Sequence, residues 1–415
     1  MAQILVICQR VPWPLQDGHA LRVFQLARHL DAAHTCHLAC LPRGSEHVPG
    51  LQQERCFASI TVLPPLPARR HWRRFLRRHG DRDYHRFAYP GYFAAAVATL
   101  QNFVDRNAIN VVVATLSASE EFMRPLRGVA KILDQYDCST LASERELAAA
   151  TRQNLLWQLH RRHRLRQIRA TESDLKHRCD AVTTIAPPDQ QRLQELNPGG
   201  PPIELMPNGV QARLLQNDSN SVPALRGVAF WGDLGYSVNR RAVEYFYREV
   251  WLPCLQPAGV RWAIVGPNAG VALRDLAARH QEISLPGFVS DLFEYLAPYP
   301  VMINPMRTGS GLKNKVLEAM AAGKVVVSTS LGVDALPFLD GVHGRITDDP
   351  MRFAEIVLEL LDEPARRSVL VTCARDLVRS RYTWEAVGSA WSELLTKVGG
   401  AQSRYGGGSG SCSGT

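Results

Sequence analysis

No apolar run in this chain approaches the ~20 residues a membrane-spanning helix needs. The apolar stretch Ile4-Leu5-Val6-Ile7-Cys8 is too short for a secretory core and has no basic flank ahead of it, so it reads as a first buried strand. The nine cysteines are scattered, and none stands in a C-x-x-C pair. That argues for reduced thiols in a cytoplasmic protein and against a zinc site. Cys36 and Cys40 are four apart but fall in an apolar strand pattern, where they read as core thiols. No G-x-G-x-x-G follows directly on the first strand of either half, which disfavours a nicotinamide dehydrogenase. No zinc finger or RNA-recognition signature is present either, so nucleic acid is a weak candidate partner.

The 415 residues exceed what one core usually serves, which predicts two domains. Hydrophobic content of 46% and charged content of 21% are ordinary for a globular chain. In the first half, strands are expected at 4–8, 34–41, 59–63, 111–115, 130–134 and 181–185. Helices are expected at 20–30, 91–106, 143–180 in one or two pieces, and 189–195. The second half repeats the scheme. Its strands are expected at 227–231, 262–265, 283–285, 301–304, 325–329 and 344–347, and its helices at 239–251, 272–279, 292–296, 312–322, 351–361 and 365–378. Strands alternating with helices predict parallel sheets covered on both faces. Pro198–Pro202 and Asn217–Ala224 read as linker segments. The expected domains are residues 1–205 and 206–380, with a helix near 383–398 packing back on the first. Residues 401–415 are expected to be a disordered tail.

The stretch 303–329 carries the most chemistry. An apolar strand ends at Pro305, Gly309-Ser310-Gly311 breaks the chain, and a helix pattern runs to Gly323 before Val325-Val326-Val327. Strand, glycine loop and helix together present bare backbone N–H groups to an anion at a helix N-terminus. Arg307, Lys313 and Lys315 crowd the same place, which points to a multiply charged anion such as a phosphorylated ligand. Read blandly, the glycines form a tight turn and the basic residues are solvated. Glu318 weighs against that reading, because it stands where a carboxylate can reach a ribose diol beside the phosphates.

The net charge of +9 is unevenly spread. Residues 69–86 hold eight arginines at helical spacing, with Trp72 and Phe75 between them. A second basic run, Arg161 to Arg169, carries Trp157, Leu159, Leu165 and Ile168 at similar spacing. Basic amphipathic helices suit an anionic membrane surface, and an ordinary solvated face is the competing reading.

Taken in order, several motifs resemble the family 4 glycosyltransferases of the GT-B fold. They are Gln9-Arg10-Val11-Pro12-Trp13-Pro14 with Gly18 and Arg22, Pro207-Asn208-Gly209-Val210, Gly232 with Asn239, Val265-Gly266, Gly287-Phe288-Val289-Ser290-Asp291, Pro305 to Glu318, and Tyr382-Thr383-Trp384. The N-terminal Arg-x-Pro-x-Pro is most similar to the sugar transferases of exopolysaccharide and exosortase gene clusters. The resemblance implies two doubly wound Rossmann-like domains (α/β class) facing across a cleft. It implies retaining transfer from a UDP- or GDP-linked sugar, with neither a metal nor a cofactor, to a glycan or polyprenyl-linked acceptor. Arg69–Arg86 would then meet the inner face of the membrane.

Residue by residue, Glu318 matches the carboxylate that holds the donor ribose. Gly309, Ser310 and Gly311 match the loop near the phosphates and sugar, and Leu312 and Lys313 follow it into the helix. Val289 falls in the segment that meets the base, and Gly18 matches the N-domain glycine near the diphosphate. Lys315 is the preferred phosphate ligand, Asn239 stands where relatives have a lysine, and Arg307 is a further candidate. With Glu318 and Lys315, Ser310 completes the expected catalytic set.

The sequence also departs from the family pattern. Ser310 replaces a glutamate, and the Arg and Lys usual after the first C-domain strand are absent. The usual N-domain histidine is missing from Thr115-Leu116-Ser117-Ala118-Ser119. Asp134-Gln135-Tyr136-Asp137 is expected to cap the next helix or to line the acceptor side. These departures keep two alternatives open, a non-catalytic scaffold and an enzyme akin to the sugar-nucleotide epimerases.

Overall fold

The computed structural model describes residues 2–15, 18–30, 34–41, 48–67, 83–149, 155–216 and 223–405. Most of the arginine-rich segment 69–86, much of the expected 217–224 linker and the Gly/Ser tail lie outside them.

The chain divides into two compact units. One comprises residues 1–147, 152–207 and 384–415, and the other is essentially 208–383. The first runs β1 (Gln3–Cys8), α1 (Gly18–Leu30), β2 (Thr35–Cys40), α2 (Val48–Gln53), β3 (Ser59–Val62), α3 (Tyr84–Ala88), α4 (Pro90–Arg106), β4 (Val111–Thr115), α5 (Ser117–Met123), β5 (Ala130–Tyr136), α6 (Ser139–Ala149), α7 (Leu155–Glu172), β6 (Ala181–Thr184), α8 (Pro187–Leu196) and β7 (Ile203–Leu205). The second runs α9 (Ala212–Gln216), β8 (Gly227–Trp231), α10 (Ser237–Phe246), β9 (Arg261–Val265), α11 (Val271–Ala278), β10 (Ile283–Gly287), α12 (Leu292–Tyr295), β11 (Val301–Asn304), α13 (Asn314–Ala321), β12 (Val325–Ser328), α14 (Ser330–Val333), β13 (Arg345–Ile346), α15 (Pro350–Asp362) and α16 (Pro364–Arg381). α17 (Trp384–Tyr405) returns to the first unit.

Both sheets are parallel and doubly wound, with orders 3-2-1-4-5-6-7 and 10-9-8-11-12-13. The reason is legible in the strands. Runs such as Val111-Val112-Val113 and Val325-Val326-Val327 are buried throughout, as strands covered on both faces must be. In each sheet the winding reverses beside the first strand, between β1 and β4 and between β8 and β11. Ligands of such folds bind at the carboxyl ends of the strands at this switch point.

Several expectations shift. Pro198–Pro202 is not a linker between units; it lies inside the first unit and feeds β7, a three-residue strand too short for a sequence pattern. The helix of the glycine loop starts at Asn314 rather than Leu312, because Lys313 adopts a non-helical backbone there. The helix expected to end at Trp251 continues as a π-helix over Tyr247–Leu255, with Pro253 inside it. α5 was not expected, since Ser117–Met123 carries no apolar periodicity beyond Phe122 and Met123.

Candidate functional site

The second unit gathers its polar side chains at the β8/β11 switch point. β8 ends at Trp231, and Gly232 follows with φ +146°. Next to it, after β9, Gly266 has φ +148°, and a Cβ there would lie 1.9 Å from the Gly232 carbonyl oxygen. Only glycine permits this approach. A Cβ on Gly232 would in turn meet Asn239 Nδ2 at 2.9 Å and Lys315 Nζ at 3.1 Å. The bare backbone at Gly232 is therefore the floor on which those two side chains sit.

From β11 the chain passes through Gly309 (φ +109°) and Gly311 (φ +73°) into α13. Lys315, in the first turn of α13, donates from Nζ to Asn239 Oδ1 at 2.7 Å and lies 4.0 Å from the centroid of the Phe230 ring. Asn239, in α10, donates from Nδ2 to the Asp233 carbonyl at 2.8 Å, which fixes its oxygen toward the lysine. Burial pulls the Lys315 ammonium down to about 7; Glu318 pulls it back up, and Lys313 repels it. A half-buried ammonium hydrogen-bonded to one neutral amide is poised for an incoming anion.

Glu318, one turn further on, accepts a hydrogen bond from Trp231 Nε1 at 3.0 Å. This contact ties α13 to the end of β8 across the switch point. Burial pushes the Glu318 carboxyl up, while the indole N–H and Lys315 hold it back. Lys315, Asn239, Gly232, Trp231 and Glu318 thus form one connected cluster.

The other expected residues go elsewhere. Arg307 is exposed and turns to the Tyr245 ring, 5.0 Å from its centroid, and to the Asp348 carbonyl. Lys313 is buried; its Nζ donates to the carbonyls of Gly311 (2.8 Å) and Ser310 (3.3 Å) and faces Asp334 at 3.6 Å. Its charge holds the loop shape rather than facing outward. Leu312 is buried, Ser310 half-buried, and Val289 is half-buried just beyond β10. Gly18 begins α1 in the first unit.

In that first unit, Asp134 does not line an open site. It takes a bidentate pair from Arg22, 2.9 Å on each oxygen, and a hydroxyl from Thr183 at 2.6 Å, and it is buried. The helix that follows is capped from afar. Glu172 accepts from the N–H groups of Ser139 and Thr140, and Asp189 from that of Cys138. Leu116 and Tyr136 both have positive φ at the ends of β4 and β5, a strain that concentrates at functional sites. The Tyr136 hydroxyl meets His19 Nδ1 at 2.9 Å. Burial pushes the Cys8 thiol up, but hydrogen bonds from Cys40 and His19 outweigh it and bring it to about 6.

The sequence signals for Trp231, Glu172 and His19 were weak. Each partner lies far along the chain, as with Trp231 and Glu318, 87 residues apart.

Residues 226–363 match the family described as glycosyl transferases group 1. That segment resembles the group 1 glycosyl transferases. A stretch of 113 residues is 29% identical to a GDP-mannose-dependent monoacylated alpha-(1-6)-phosphatidylinositol monomannoside mannosyltransferase of Corynebacterium glutamicum; it covers 25% of this chain and 29% of that relative. The fold likeness is broader. A sucrose-phosphate synthase of Thermosynechococcus elongatus superposes with TM-score 0.68 at 17% identity, over 97% of this chain and all of that one. Anabaena HepE, solved with UDP-glucose, superposes with TM-score 0.63 at 14% identity, over 96% of this chain and all of that one. At these identities the likeness is one of fold, the GT-B pair of Rossmann-like units.

Proposed function

We propose that this protein is a glycosyltransferase that moves a sugar from a nucleotide-sugar donor to a glycan or lipid-linked acceptor. The observation that carries the reading is the Lys315–Asn239 pair on bare Gly232, beside Glu318, at the switch point of the group 1 unit. In this reading the Lys315 ammonium and the backbone N–H groups of Asn314 and Lys315 at the start of α13 meet the diphosphate. They stabilise the charge that grows on the leaving nucleotide, which is where electrostatic catalysis acts. Glu318, oriented by Trp231, takes the ribose hydroxyls, and Ser310 borders the sugar. Gly309 and Gly311 keep the loop close to it, and Val289 lies toward the base. Retention at the anomeric carbon and a UDP- or GDP-linked donor are the finer form of the proposal. An exopolysaccharide acceptor and contact of Arg69–Arg86 with the inner membrane face belong to that finer form too.

The test is a thermal-shift and calorimetric panel with UDP, GDP and dTDP, followed by assay of donor hydrolysis and transfer. Preferential stabilisation by one nucleotide, lost in Lys315→Ala, is expected. Equal indifference to all three would remove the reading.

A further inference from the structure

One face of α7 is exposed. Its 18 residues turn Glu172, Leu165, Ile168 and Trp157 inward or sideways. Leu155, Leu156 and Leu159 stand 70%, 77% and 53% exposed. Single exposed leucines are ordinary, but three within five residues at one end of a helix form a patch that water disfavours.

The rest of the same stripe is basic. Leu155, Leu159, Arg162, Arg166 and Arg169 follow one another at spacings of four, three, four and three, which keeps them on one side of the helix. Arg162, Arg166 and Arg169 are all exposed. The single carboxylate of α7, Glu172, is buried and occupied by the N–H groups of Ser139 and Thr140. Arg161, on the flank, pairs with Glu146 at 2.9 Å, so the fold uses the flanking arginine and leaves the ridge to solvent.

An ordinary solvated basic face has no need of the leucines, and a protein groove has no need of three aligned arginines. Together they match a layer with anionic headgroups above an apolar interior. The chain's own residues 69–82 are a poor occupant, because they bring seven more arginines against the ridge. No helix among the described residues is long and apolar enough to cross a membrane, so the contact is one of lying on a surface.

We propose that α7 is a membrane-docking helix, with Leu155, Leu156 and Leu159 entering the headgroup–acyl boundary and Arg162, Arg166 and Arg169 binding anionic lipid headgroups. The proposal is independent of the donor reading and adds α7 to Arg69–Arg86 as a lipid-contacting segment.

The experiment is co-sedimentation of the full chain with vesicles of phosphatidylcholine alone or phosphatidylcholine mixed with phosphatidylglycerol, at low and high salt. The wild-type chain is expected to pellet with the anionic vesicles only. Replacing Arg162, Arg166 and Arg169 together by Gln is expected to weaken this binding by on the order of a hundredfold, roughly fivefold per arginine. Replacing Leu155, Leu156 and Leu159 by Ser is expected to abolish whatever binding survives high salt. All these side chains are exposed, so both variants should keep the wild-type melting temperature, which serves as the folding control. Three outcomes overturn the proposal: wild-type protein that stays in the supernatant with anionic vesicles at low salt; α7 variants that pellet like wild type while replacing Arg73, Arg74, Arg77 and Arg78 by Gln abolishes binding; or retention by RNA or an acidic peptide without vesicle binding.

Discussion

Lys315 is the phosphate ligand of the proposed function, and its protonation gives that proposal a measurable signature. The ammonium is held near 7 in the fold against an ordinary value of 10.5. Between these values the folded chain binds fewer protons than the unfolded chain, so this group's contribution to stability rises with pH across that window. Under the proposed function, nucleotide binding should have the opposite dependence, because a diphosphate would favour the charged lysine. Affinity for UDP or GDP should weaken by up to about tenfold per pH unit above 7. Binding at pH 8 should take up a proton, seen as a dependence of the calorimetric heat on buffer ionisation enthalpy. In Lys315→Gln the proton uptake should vanish, and affinity should fall by about 1–3 kcal/mol. Glu318→Gln keeps an acceptor for Trp231 Nε1 but removes the charge, so it should fold normally and lose most turnover at saturating donor. Full turnover in this variant would show that Glu318 serves only to anchor Trp231. Lys315 and Glu318 were legible in the sequence because they share one helix turn. Trp231 and Arg22–Asp134 were not, because partners 87 and 112 residues apart leave no local pattern.

Among the elements, the meeting of β8 and β9 is the tightest constraint at this site. Gly266→Ala would drive a Cβ to 1.9 Å from the Gly232 carbonyl at φ +148°, so the strand ends must part. A loss of roughly 2–4 kcal/mol in urea unfolding is expected, together with loss of nucleotide binding. Gly270→Ala is the control. Its φ is −68°, and nothing lies within 4 Å of an added Cβ, so stability should change by no more than about 0.5 kcal/mol. The long buried strands were readable from the sequence, since unbroken β-branched runs have few other homes. β7 and α5 were not readable, because three to seven residues carry too little periodicity against tertiary packing. The π-helical turn after α10 was also hidden, since local sequence rarely marks a change of hydrogen-bond register.

At the scale of the whole molecule, α17 decides how the first unit is closed. Trp384, Val387, Trp391, Leu394, Leu395 and Val398 are buried against Ile4, Val111, Ile132 and Ala181 of the first sheet. At about 1.5–3 kcal/mol for each buried side chain, the six are worth roughly 9–18 kcal/mol as an upper estimate, as much as a domain's entire stability. A chain ended at Thr383 should therefore lose the cooperative unfolding of the first unit and become protease-sensitive between residues 1 and 207, while 208–383 stays protected. Limited proteolysis with mass spectrometry reads both. The layout also sets an order of events at the ribosome. Residues 1–207 are made before 208–383, yet the helix that seals their sheet is made after both. The second unit has all its residues before the first does. A nascent chain paused before α17 would hold a finished second unit and an unsealed first one, so the codons of α17 are where a folding chaperone would have most to guard.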